Sequence, residues 1–148
     1  MPDPFVVITL DGPPRGKGRP RGRIVSTRGG GRFISFYTDS DTRAYEAALA
    51  CAGKAAMKGL DALDEPLSIV VDAMMPIPES WSRPQKQRAA CMDLFPTGKP
   101  DGDNLLKCAG DALNGIVWRD DSLIVRQTVQ KVYAIRPQLR VSVYRWNQ

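Results

Sequence analysis

The segment GKPDGDNLLKCAGDALNG, residues 98–115, concentrates carboxylates and lysines around a short apolar stripe. Asp101 and Asp103 are separated by one glycine, and Lys107 follows Asp103 by four positions. Crowded carboxylates repel one another unless a cation neutralises them, and hard oxygen ligands of this kind suit magnesium or manganese. At such a site the metal would lower the pKa of a bound water and stabilise charge on a phosphoryl oxygen. The spacing therefore indicates a divalent-metal site.

A helix would bring these groups to one of its ends. Pro100 disfavours helical backbone at the residue before it, so we expect Asp101 in a loop and Asp103 as the cap of a helix that runs to about Asn114. Lys107 lies one turn after Asp103 and on the same side of that helix. The apolar residues share the opposite side: Leu105, Ala109, Ala112 and Leu113. One face of the helix is predicted to be core and the other polar and acidic.

A third acidic contribution is expected from Asp120 and Asp121, just before a strand that begins at Leu123. If this strand packs against the helix, all the carboxylates meet at one end of the unit, where Lys107 can orient water or counter charge on a phosphate. Each feature also has a purely structural interpretation. Asp103 can be only a helix cap, the Asp120–Asp121 pair can shape a turn, and Lys107 can form an intrahelical ion pair.

Several other chemistries are excluded by residue type. The chain contains no histidine, so a Ser-His-Asp triad, a Cys-His pair and His-bearing zinc sites are impossible. An EF-hand starting at Asp101 would need oxygen ligands where Leu105 and Ala112 stand. The stretch GPPRGKGRP lacks the spacing of a nucleotide-binding P-loop, so no nucleotide cofactor is expected. Three cysteines without a CxxC pair are expected to be reduced and small core residues.

The charge distribution favours a polyanionic partner. The chain has a formal net charge of +5 and a pI near 9.3. Residues 12–32 carry no acidic residue, and seven basic residues there are predicted to contact such a partner: Arg15, Lys17, Arg19, Arg21, Arg23, Arg28 and Arg32. This stretch is rich in Gly, Pro and Arg, which predicts a mobile basic loop with hairpin character around Ile24 and Val25. A solvated connection is the alternative.

The rest of the chain predicts one α+β domain over residues 1–148, with a mixed or antiparallel sheet packed against helices. Asp41 and Thr42 are expected to cap the first helix, and the last two strands are expected to form an antiparallel hairpin. In chain order the predicted elements are strand 5–10, helix 41–58, strand 67–75, helix 82–92, helix 103–114, strand 123–134 and strand 139–146. No segment has the roughly 18 apolar residues of a membrane span, so we expect an intracellular protein without a membrane partner.

The stretches KPDGDNLLK (99–107), DALNG (111–115) and the Asp120–Asp121 pair resemble the RusA family of Holliday junction resolvases. GPPRGKGRPR after the first strand and FYTDSDTRAYE at the start of the first long helix are similar to further family segments, and all occur in the expected order. Together these stretches cover about half of the chain.

The resemblance implies a RusA-like α+β homodimer that cuts four-way DNA junctions during recombination and repair. It implies that Asp101, Asp103 and Asp121 are catalytic carboxylates that bind Mg²⁺, with Mn²⁺ as a possible substitute, and that Asp120 adjoins this metal set. Lys107 would be the functional lysine. On this hypothesis the basic residues of the loop, and Lys99, contact DNA. Such enzymes are often encoded by phages and prophages, which implies the cytoplasm of a bacterial or phage-infected cell.

Two alternatives stay open. One is a non-catalytic nucleic-acid-binding phage protein that keeps the fold without turnover. The other is a general branched-DNA nuclease without a preference for four-way junctions. A C2 dimer suits a four-way junction, because the junction has approximate two-fold symmetry and the dimer presents two equivalent sites.

Overall fold

The structure is a computed structural model that describes residues 2–18, 21–37 and 39–146. Six strands and three helices lie within these residues, together with a short 3-10 turn at Asp121–Leu123. In chain order they are β1 (Val6–Asp11), β2 (Arg21–Ser26), β3 (Arg32–Tyr37), α1 (Ser40–Met57), β4 (Leu67–Pro76), α2 (Arg83–Ala90), α3 (Gly102–Leu113), β5 (Ile124–Ala134) and β6 (Gln138–Arg145). The predicted α+β class is confirmed.

The main sheet has four strands in the order β1-β6-β4-β5. β4 pairs with β5 in parallel and with β6 antiparallel, so the sheet is mixed. Alternate residues of β4 are buried, as its period-two pattern predicts, and they face the core: Leu67, Ile69, Val71 and Ala73. Helices α1 and α3 pack against each other and cover this face.

The predicted hairpin between the last two strands is wrong, because β4 lies between β5 and β6. In this order β4, the most apolar strand of the sheet, is paired along both of its edges. The connection has only the three residues Ile135, Arg136 and Pro137. Three residues suffice to step over one strand, a distance of about 10 Å.

Helix α1 starts earlier than predicted. Its N-cap is Asp39, whose Oδ1 accepts a hydrogen bond of 2.8 Å from the Thr42 backbone N–H, so the expected cap at Asp41–Thr42 is wrong by two residues. The helix is followed by Lys58 in a left-handed conformation and by Gly59. The predicted inner face is confirmed, since Leu49 is buried and Tyr45, Ala52 and Ala56 pack against the core.

Helix α3 carries the acidic segment. Its N-cap is Asp101, and Asp103 lies in the first turn, so the predicted capping role of Asp103 is wrong. The predicted apolar face is confirmed, because Leu105, Ala109, Ala112 and Leu113 are all buried. Of the three free cysteines, Cys108 is buried in this helix, whereas Cys51 and Cys91 are exposed and therefore not core residues as predicted.

Part of the predicted basic loop is a regular hairpin. β2 and β3 pair antiparallel with Ile24 opposite Ile34, which confirms the expected hairpin character and shortens the irregular part of residues 12–32. Ile24, Ile34 and Phe36 are 72%, 63% and 71% exposed. Arg19 lies outside the described residues, and only the backbone of Arg21 is described. The mobility of this segment stays a prediction.

No helix within the described part of the chain combines the length and the apolar character needed to cross a membrane.

Candidate active site

An open cleft of about 540 Å³ lies between the polar face of α3 and the chain that leads into β5. Three of the predicted site residues line it: Asp103 and Lys107 from α3, and Asp121 from the 3-10 turn. The helical spacing of four residues places the first two on one face, and the packing of α3 on β5 brings the third to them. The complete lining is Asp103, Leu106, Lys107, Gly110, Asp111, Asp121, Ile124, Val125, Arg126 and Gln127.

The carboxylate of Asp121 is held in place from two sides. Trp118, which is fully buried, donates a hydrogen bond of 2.7 Å from its Nε1 to Asp121 Oδ1. On the other side the carboxylate lies over the backbone of α3, where a Cβ on Gly110 would stand 3.7 Å from Asp121 Oδ2. The Trp118 indole and the backbone of α3 at Gly110 therefore fix one of the three carboxylates that line the cleft.

The other two predicted metal ligands lie outside the lining of the cleft. Asp101 is exposed at the N-cap of α3 and its side chain makes no capping bond to the described helix. Asp120 is exposed and accepts a hydrogen bond of 2.6 Å from the Ser122 hydroxyl, which lowers the pKa of Asp120. Within the described ranges, no three acidic or cysteine side chains are grouped to hold a metal ion. The structure brings Asp103 and Asp121 to one cleft but does not gather Asp101 with them.

Two carboxylates still fit a magnesium ion. Mg²⁺ is usually bound by one or two carboxylates, with water and substrate phosphates completing its octahedral shell. Asp103 and Asp121 are exposed on the same open cleft and come from different elements. Asp103 also lies in the first turn of α3, where the helix dipole favours negative charge. The donor set is therefore suited to a hard cation that also contacts a phosphate.

Asp111 and Lys17 form a contact that the sequence did not predict. Lys17 Nζ lies 2.8 Å from Glu46 Oε1 and 3.0 Å from Asp111 Oδ2, and Asp111 lines the cleft. The close contact with the Glu46 carboxylate is the main reason that the pKa of Lys17 is raised. Lys17 was predicted to contact a polyanion, but its side chain is held against the protein. No local pattern links it to Asp111, 94 positions away.

The remaining predicted basic contacts are on the surface. Arg15 is exposed, with Nη1 3.9 Å from Asp41 Oδ2. The side chains of the hairpin arginines Arg23, Arg28 and Arg32 are exposed, as is that of Lys99 before Pro100. These side chains form an exposed basic surface.

Two residues of β5, Arg126 and Gln127, line the cleft and were missed by the sequence analysis. The guanidinium of Arg126 stacks on Trp146 at 4.8 Å from the ring centroid. The available signal was their position only five and six residues after Asp121, in the strand that follows it. Trp146 does not line the cleft, so this stacking holds the Arg126 guanidinium beside the cleft.

Comparison with known proteins identifies the family of the chain. A sequence model of the family "Endodeoxyribonuclease RusA" matches residues 11–144, nearly the whole chain. The chain is also similar to the uncharacterized protein YqaN of Bacillus subtilis (strain 168), at 31% identity over 140 residues, which is 93% of this chain and 94% of the relative. The matched residues include every residue that lines the cleft, Asp103 and Asp121 among them, and the hairpin. This chain belongs to the RusA family of endodeoxyribonucleases.

Proposed function

We propose that this protein is a Mg²⁺-dependent, structure-selective endodeoxyribonuclease that resolves four-way DNA junctions by paired symmetric cuts. The observation that carries the proposal is the convergence of Asp103, Asp121 and Lys107 on one open cleft in a member of an endodeoxyribonuclease family. The family supports nuclease activity on branched DNA. The junction preference, the metal and the residue roles are our proposal.

Asp103 and Asp121 would hold the metal, and Asp101, two residues before Asp103, would join them through a rearrangement of the exposed N-cap. When bound, Mg²⁺ supplies an activated water and neutralises charge on the phosphate, and Mn²⁺ is expected to substitute. Trp118 keeps the Asp121 carboxylate oriented for that purpose. Lys107 lies on the same helix face and stabilises the negative charge that builds on the phosphate.

A homodimer would complete the function. A four-way junction has approximate two-fold symmetry, so a C2 pair of chains offers one cleft to each of two opposed strands. We therefore expect two coordinated cuts during one encounter. The test uses a supercoiled plasmid with an extruded cruciform: paired cuts convert it directly to linear DNA, whereas independent cuts accumulate nicked circles first. A nicked circle as the main early product would contradict the paired mechanism.

Trp118→Phe tests the support of Asp121. The substitution keeps an aromatic ring in the core but removes the N–H that donates to Asp121 Oδ1. Loss of a partner that orients a metal ligand typically costs about 10- to 100-fold, and we expect that loss in the single-turnover rate of junction cleavage. Trp81→Phe is the matched control, because Trp81 packs edge-on against Tyr133 and does not line the cleft. Equal rates in the two variants would contradict the role of Trp118.

The hairpin is proposed to contact DNA phosphates through exposed arginines. Replacing Arg28 and Arg32 together with alanine should weaken junction binding and flatten its salt dependence, since each lost phosphate contact removes about 0.9 from the slope of log K against log salt. The control is Arg83→Ala with Lys86→Ala on α2, which changes the charge equally and leaves the hairpin intact. The junction Kd measured at several salt concentrations, from low to moderate, gives this slope for each variant. A slope unchanged from wild type would remove the hairpin arginines from the DNA interface.

A further inference from the structure

Lys17 differs from the other described basic residues of the 12–32 segment because its side chain is mostly buried. It is 18% exposed, and its ammonium lies between two carboxylates on different helices. Glu46 belongs to α1 and is 20% exposed, and Asp111 belongs to α3 and faces the cleft. One ammonium thus joins both helices that cover the sheet.

The backbone around Lys17 is fixed on α3 as well. The Lys17 N–H donates a hydrogen bond of 3.0 Å to the carbonyl of Asn104, in the first turn of that helix. At Gly16 an added Cβ would stand 2.8 Å from Pro100 Cβ and 2.9 Å from Asn104 Cβ, so no larger residue fits without a shift. The chain that leads into the basic hairpin is therefore packed directly against the start of α3, next to Asp103.

The neighbouring groups do not replace the charge of Lys17. Burial raises the pKa of the Cys108 thiol to about 12 and that of the Tyr45 hydroxyl to about 12, so both are neutral near pH 7. The Arg15 side chain is 47% exposed and makes its ion pair with Asp41. Without Lys17, the carboxylates of Glu46 and Asp111 would face each other with no cation between them, and like charges repel strongly where they are partly desolvated.

We propose that Lys17 is a positioning residue of the cleft: its ammonium holds Asp111 in place by bridging Asp111 to Glu46, while its backbone N–H is bonded to the first turn of α3. It thereby joins the DNA-binding segment to the helix that carries Asp103. The proposal rests on the proposed nuclease function, and it gives one lysine of the basic segment a role other than contact with phosphate. Its effect is expected on the rate of the bound complex rather than on binding.

The test compares Lys17→Met, Lys17→Arg and the control Lys54→Met, an exposed lysine in the last turn of α1. Small misplacements of catalytic groups cost up to about 100-fold. We therefore expect Lys17→Met to cleave saturating four-way junction at least about tenfold more slowly than wild type, with an unchanged junction Kd and salt slope. Lys17→Arg keeps a cation between the carboxylates and should retain most of the rate, and Lys54→Met should match wild type.

A different pattern overturns the proposal. If Lys17→Met weakens binding and lowers the salt slope by about one contact while the rate at saturation is unchanged, Lys17 is a phosphate ligand. If Lys17→Arg is as slow as Lys17→Met, the slow cleavage does not result from loss of a bridging cation, and the proposal is overturned.

Thermal unfolding provides a readout that does not depend on cleavage. In a cycle with Asp111→Asn, the asparagine should lower the Tm of wild type but restore stability lost in Lys17→Met, because it removes the carboxylate left without a cation. If the effects of the two substitutions on Tm simply add, Lys17 and Asp111 are not coupled and the proposal is overturned. This readout also applies to a variant that is too unstable for the cleavage assay. A wild-type chain that cuts no junction would refute the proposed function, and the cycle would still decide whether Lys17 and Asp111 are coupled.

Discussion

Asp103→Asn is expected to lower the rate of junction cleavage by about 10³-fold or more, because a lost metal carboxylate removes several kcal/mol of charge stabilisation from the transition state. Asp103 is exposed on the cleft in the first turn of α3, so the fold should tolerate an amide there. Junction binding should survive or tighten, since one carboxylate that repels phosphate is gone. Single-turnover cleavage and a binding assay in Ca²⁺ or EDTA separate the two effects.

The controls follow from the placement of the other carboxylates. Asp121→Asn should be as inactive as Asp103→Asn, because the two residues face the same cleft. Asp61→Asn changes an exposed carboxylate outside the lining and should cleave like wild type. Asp101→Asn tests whether the N-cap carboxylate joins the metal set, and a wild-type rate would remove Asp101 from it. A wild-type rate in Asp103→Asn would contradict the site as a whole.

Leu105→Ala is expected to destabilise the protein by about 2–5 kcal/mol, the usual cost of emptying a fully buried leucine site. Leu105 has no exposed surface and lies on the inner face of α3, two residues from Asp103. For a domain of this size each kcal/mol lowers Tm by about 2–4 °C, so a decrease of roughly 4–20 °C is expected in thermal unfolding.

Leu60→Ala is the matched control, since Leu60 is 60% exposed and the same truncation there should change stability by less than about 0.5 kcal/mol. Equal unfolding temperatures for Leu105→Ala and Leu60→Ala would show that the inner face of α3 is not part of the core.

Local patterns in the sequence predicted the parts of the site that depend on neighbours along the chain. The period of α3 separated Leu105 and Ala109 from the polar side, and that side does face the cleft. The predicted N-cap was two residues too late. An aspartate is favourable both at the N-cap and in the first turn, so local chemistry does not show which of Asp101 and Asp103 is the cap.

Features that depend on distant residues were not predictable in this way. The insertion of β4 between β5 and β6 follows from which strand is best paired on both edges, a property of the whole sheet. The contact between Lys17 and Asp111 joins residues far apart in sequence, and composition alone assigned Lys17 to the surface. The hydrogen bond from Trp118 to Asp121 joins residues three positions apart, but it depends on a loop conformation that the local sequence does not predict.

The most direct measurement is cleavage of a mobile four-way DNA junction against a linear duplex of the same sequence, with Mg²⁺ and with EDTA, for wild type and Asp103→Asn. The proposal predicts paired symmetric nicks only on the junction, only with Mg²⁺ and only in wild type. Tight junction binding without cutting in any divalent metal would contradict it and indicate a binding protein. Equal cutting of the duplex and the junction would contradict the junction preference and indicate a general nuclease.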